Sequence, residues 1–287
     1  MGEFADRVHR KLASKTGGLP TKEPKRRPGE LLPGGFKDLE TLIKEGHDPV
    51  HAVYIFIHNL TSKFGEIASS LPEMRAWAEV VAKAEDEYMP SGPPMSPLTG
   101  SFFWSWAFYD LRIGKSSDTL AYCQIVANDV IWMNPYQLDA AKRLNDSRMG
   151  IYEHIGTKGP HILLRELITE EQRSCHCPSG YLGRKGELWY VRLLPPLEPQ
   201  LAQYWVAMTT PYVLMDANTI DWVAFLKRTM LDCDGPTDDL SRFHNLLKYG
   251  LEPNYWNEFV LKAYHHHQQD AIFLTGIPDM KATLPHA

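Results

Sequence analysis

The sequence predicts an α+β chain: a multi-helix body with an inserted small five-stranded antiparallel β-barrel, SH3-like or OB-like in type. Three observations predict it. Apolar residues recur with a period near 3.6 from about residue 37 to 149. Between 150 and 214 the pattern breaks into short runs rich in Val, Ile, Leu, Tyr and Trp, punctuated by Gly and Pro. Beyond 215 the helical period returns. With 287 residues, 44% hydrophobic and 23% charged, the chain can bury a large core and is neither fibrous nor disordered throughout.

Residues 1–36 are expected to form a disordered basic tail. Gly17, Gly18, Pro20, Pro24, Pro28, Gly29, Pro33, Gly34 and Gly35 leave too little apolar surface to offset the entropy of ordering. Val8 and Leu12 support one helical turn there. In the body, Asp48 is placed to cap a helix that starts at Pro49, with Val50, Val53, Tyr54, Ile57, Phe64 and Ile67 on one face. Ser70 and Pro72 restart the chain into a second helix, with Met74, Trp77, Val81, Ala84 and Tyr88 inward. Four prolines in 90–98 exclude helix, and the aromatic stretch from Ser101 to Tyr109 reads as a helix packed on several sides. Its expected neighbours are the barrel residues Trp189, Tyr190 and Trp205. Ser117 is expected to cap a helix to Met133, and Asn134-Pro135 to open another that ends at Asn145.

The five strands are expected at 151–155, 161–168, 172–177, 187–194 and 204–210. Gly180, Gly183 and Gly186 supply the turn before the fourth strand, and Pro195-Pro196 ends it. Thr219 and Thr237 then cap two helices, Gly250 stops the second, and Tyr255, Phe259, Val260 and Tyr264 mark a third. The run Ile272-Phe273-Leu274 is expected to dock back on the body. The expected division is a tail at 1–36, a helical domain at 37–149, a barrel at 150–214, and closing helices at 215–287 that return to the body as one integrated unit.

Charge is unevenly spread. Residues 1–35 carry eight basic and four acidic side chains, which leaves −9 for the remainder of a chain with a formal charge of −5. The tail is the one segment with the charge to meet nucleic acid; the body is a poor polyanion surface. No apolar stretch reaches the roughly 18 residues of a membrane span, and the first ten residues lack the apolar centre of a signal peptide. Four cysteines do not make a disulfide scaffold, so a reducing cytoplasm is the expected compartment.

Two constellations bear on chemistry. Arg148, Glu153 and His154 lie at the junction of body and barrel and would suit acid–base work in a hydrolase-type enzyme; a polar hinge is the structural alternative. Cys175 and Cys177, with His154 and His161, are zinc-type ligands. The Cys-x-Cys spacing is too short for a zinc knuckle, though, and strand alternation puts both sulfurs on one face and His176 on the other, so no cofactor is expected. Phosphate-binding glycine motifs, the nucleophile elbow and the His-Glu-x-x-His zinc motif are absent. The expected function is a non-catalytic binding or adaptor module that meets a protein partner through its barrel and helical surface. Tyr181, Arg184, Lys185 and Trp189, around the glycine-rich turn, are the candidate contacts.

Overall fold

Helix caps and strand alternation both take the form their residues dictate in the computed structural model. It describes residues 2–15, 39–88, 100–113, 118–197, 203–215, 218–232, 238–250, 264–268 and 270–275. The chain divides into two units: Met1–Glu85 with Ser105–Asp146, and Asp86–Trp104 with Ser147–Ala287. This differs from the expected division, because the closing elements cluster with the barrel.

The first unit is helical. Helix α1 spans Glu3–Lys15, which corrects the expectation of a disordered tail for these residues. Phe4, Ala5, Val8 and Leu12 form a buried stripe, and the Ala5 amide donates to Asp118 at 3.1 Å. The stripe is about two turns long rather than one, enough for the helix to dock. The rest of the expected tail, including its prolines and Lys22, Lys25, Arg26 and Arg27, lies outside the described residues. Helices α2 (Leu39–Lys44) and α3 (Pro49–Ala68) follow; Asp48 accepts from the amides of Val50 and His51, as its capping position requires. A 3₁₀ turn at Pro72–Met74 leads into α4 (Arg75–Tyr88); Met74 of the turn and Trp77, Val81 and Ala84 of the helix are buried. Helix α5 (Gly100–Tyr109) crosses the division, with Gly100–Trp104 in the second unit and Ser105–Tyr109 in the first; it buries Phe102, Phe103, Trp106, Phe108 and Tyr109 around its circumference. The helix expected up to Met133 is divided into α6 (Leu120–Val126) and α7 (Asn128–Ile131), and its cap is Thr119 rather than Ser117. Helix α8 (Pro135–Asp146) opens with a reciprocal cap: Asn134 accepts from the Gln137 amide at 2.9 Å, and Gln137 from the Asn134 amide at 3.1 Å.

The second unit holds the barrel. Strands β1 (Met149–Lys158), β2 (His161–Glu166), β3 (Gln172–His176), β4 (Leu188–Leu194) and β5 (Trp205–Ala207) close in the order β1-β2-β3-β5-β4-β1. The Greek-key closure makes the barrel OB-like. One pairing departs from the antiparallel expectation: β3 and β5 run parallel. The connection between them passes through β4, so it is long enough to reverse direction twice. Alternate residues fill the interior: Tyr152, Ile162, Leu164, Cys175, Trp189, Val191, Leu193 and Ala207.

The sheet continues beyond β4 through β6 (Tyr212–Met215), β8 (Ile272–Thr275) and β7 (Tyr264–His267). Ile272–Leu274, expected to dock back on the helical body, instead joins the barrel's sheet as a strand parallel to β6. The His265–His267 run lies in β7. Of the helix expected over Tyr255, Phe259, Val260 and Tyr264, the first three residues fall outside the described residues, and Tyr264 opens β7 instead of a helical turn. Helices α9 (Thr219–Thr229) and α10 (Asp239–Tyr249) are capped by Asn218 and Asp238, each one residue from the position expected. On the outer side of β4 the Phe102 ring meets Tyr212 edge-on at 5.2 Å and Tyr190 at 6.0 Å, so Tyr190 is the expected aromatic neighbour that α5 finds. Trp189 points the other way, into the barrel.

Candidate functional site

Strand β1 separates the three residues expected to do acid–base chemistry. Glu153 and His154 are consecutive, so they face opposite sides of the sheet. Glu153 is opposite Arg165 on β2 and pairs with it at 2.5 Å. His154 is buried; a carbonyl can only accept, so its Nε2–H donates to the Leu182 carbonyl at 3.0 Å, while Nδ1 has no partner. Arg148 turns to the opposite end of β1, where it donates to Glu166 at 2.8 Å, contacts His244 Nδ1 at 3.3 Å and covers the Phe243 ring. The three therefore do not form an acid–base set.

Around Arg148 the arrangement is a hydrogen-bonded ion pair within the second unit. Glu166 is fully buried and also accepts from Thr169. Burial alone would raise its carboxyl, but the Arg148 charge and hydrogen bond, with Arg173 and Thr169, hold it below the usual range. Arg192 donates to the Ser147 carbonyl and hydroxyl at 2.9 Å, and Lys248 to the same carbonyl at 2.7 Å, so α10 and the barrel both grip the first residues after α8.

The four zinc-type candidates are not brought together. Cys175 is in the barrel core, its thiol pushed up by burial and by Cys177. Cys177 packs on the edge of that core and contacts the Ser179 hydroxyl at 3.4 Å. His154 is held by Leu182, and His161 stacks on Tyr204. Among the described residues, no group of three or more His, Cys, Asp or Glu side chains is placed to hold an ion.

The loop between β3 and β4 is fixed from both sides. Gly180, Gly183 and Gly186 all have positive φ, and a Cβ on Gly183 would fall 2.5 Å from the Trp189 ring. Glu187 accepts from the Tyr181 hydroxyl at 3.1 Å and from Trp189 Nε1 at 3.0 Å, while Ser179 donates to the Asp270 carbonyl at 2.8 Å. Burial and the Glu187 charge raise the Tyr181 phenol, which stays a donor. Of the four candidate contacts, Trp189 is in the core and Tyr181 is half-buried against it, while Arg184 and Lys185 are exposed. The loop also presents Leu182, 63% exposed, which is not among the four residues expected. Its place between Tyr181 and Gly183, in a turn already marked by glycines, was the available signal.

A second feature lies outside the barrel. The ladder pairing Ile162 with Cys175 sets His161 opposite His176 on the outer face. Tyr204, just before β5, stacks with His161 at 4.5 Å and 28°, and stands edge-on to His176 at 6.2 Å. Alternation placed His176 outward, but nothing along the chain joins positions 161 and 204. No known protein family, curated protein or solved structure matches the chain.

Proposed function

We propose that the chain is a non-catalytic binding or adaptor module that meets a protein partner on the β3–β4 loop of its barrel. The observation that carries this reading is Leu182. Of the large apolar side chains exposed among the described residues (Ile43, Val80, Leu182, Ile220, Leu231 and Leu240), it alone belongs to the barrel. It is held out by a preorganised loop, which lowers the entropy cost of docking. Arg184 and Lys185 flank it, so the complementary surface is an apolar pocket with an acidic rim. The free, buried thiols of Cys123 and Cys175 suit work in a reducing cytoplasm.

Leu182→Asp and the pair Arg184→Glu with Lys185→Glu test the reading in affinity purification, with Ile220→Asp as the control. The expected result is a partner retained by the wild type and the control and lost from both loop variants. The same partner set from all four proteins would overturn it.

A further inference from the structure

We propose that the outer face of β2, β3 and β5 is a stacking site for the bases of single-stranded nucleic acid, separate from the loop assigned to a protein partner. His161, His176 and Tyr204 are each half-buried on the outer face of the barrel. The parallel stack of His161 on Tyr204 and the edge-on contact of His176 hold the rings in one cluster. Such a cluster suits flat, uncharged ring systems, and every nucleobase offers such a face.

Charge near the rings is sparse. Lys158 lies directly across the β1–β2 ladder from His161; it is exposed, and among the described residues it forms no ion pair. Arg165, further along β2, is held by Glu153, and Arg173 is held by Glu171. Residues 147–215 carry seven basic and six acidic side chains, so no broad field draws in a polyanion. The geometry therefore gives one phosphate contact, at Lys158, beside a ring platform that supplies most of the affinity. Small Greek-key barrels use the face of their second and third strands for oligonucleotides, a fold-level analogy that agrees with this placement. RNA and DNA share the chemistry.

Fluorescence anisotropy of the full chain with labelled single-stranded oligo(U) and oligo(dT) of about 12 nucleotides tests the site. Tyr204→Leu and His161→Ala are each expected to weaken binding roughly 5- to 100-fold, while His161→Phe, which keeps a ring, stays within a few-fold of wild type. A single phosphate contact predicts a slope of log K against log salt near about −0.7, falling toward zero in Lys158→Ala. A preference for one oligonucleotide names the natural ligand, and Leu182→Asp leaves binding unchanged. The proposal is overturned by no binding of either at about 0.1 mM, or by equal affinity in wild type, Tyr204→Leu and His161→Ala. A slope steeper than about −2, abolished by Lys25→Glu with Arg26→Glu and Arg27→Glu, would also overturn it, because the basic N-terminal stretch would then be the binding site.

Discussion

Glu166 shows what one buried carboxylate contributes. Its charge is matched by Arg148 at 2.8 Å, with Thr169 taking a further lone pair, and its folded pKa lies below the unfolded value. A depressed carboxyl adds stability above about pH 4.3, the ordinary glutamate value, and loses it as the pH falls through the folded value. Glu166→Gln is therefore expected to cost about 3 kcal/mol near neutrality, because it leaves the largely covered Arg148 guanidinium without its counter-charge. The variant should also lose less stability than the wild type between neutral and strongly acidic pH; denaturant midpoints at the two pH values check both statements. Gly183 makes a second residue-scale test. At φ +65°, with Trp189 Cζ2 2.5 Å from a new Cβ, Gly183→Ala has to move the loop or the indole. A loss above about 1 kcal/mol follows.

At the scale of elements, caps and alternation were legible and pairings were not. Asp48, Asn134 and the five barrel strands stand where spacing placed them, because each depends on residues within a few positions. Asp48→Ala should cost about 1 kcal/mol by leaving the amides of Val50 and His51 without their acceptor, which thermal denaturation would show. The parallel β3–β5 and β6–β8 pairs, by contrast, join segments far apart in sequence, and no local pattern announces them. The same reason hid the His161–Tyr204 stack and dispersed the junction set. Glu153 and His154 look adjacent along the chain, but a strand turns them to opposite faces. Helix α1 was underread differently: its glycine-rich sequel masked a stripe that Phe4 and Ala5 extend by a turn. Helix α5 read correctly as buried all round, and Trp106, 3% exposed, should cost roughly 3–5 kcal/mol on replacement by alanine. A midpoint shifted by the equivalent of less than about 1 kcal/mol would contradict that placement.

Across the whole molecule, two units share one chain, and the second combines the barrel with the closing helices and strands. Burial raises the thiols of Cys123, in the first unit, and Cys175, in the second. In a Cys233→Ser background, labelling of these two by a thiol reagent should follow denaturant unfolding of their own unit rather than begin in native buffer. No described helix is long and apolar enough to cross a membrane. On the reading proposed above, the barrel holds the β3–β4 loop ready for a protein partner. The most direct measurement is site-specific photo-crosslinking in cells, with the photoreactive residue in place of Leu182 in one protein and of Ile220 in another. Both positions are exposed, at 63% and 80%, so solvent access alone favours Ile220. A discrete heavier adduct is expected from position 182, absent at 220 and abolished by adding Arg184→Glu with Lys185→Glu. No adduct at 182, or equal yields of the same adduct from both positions, would contradict it.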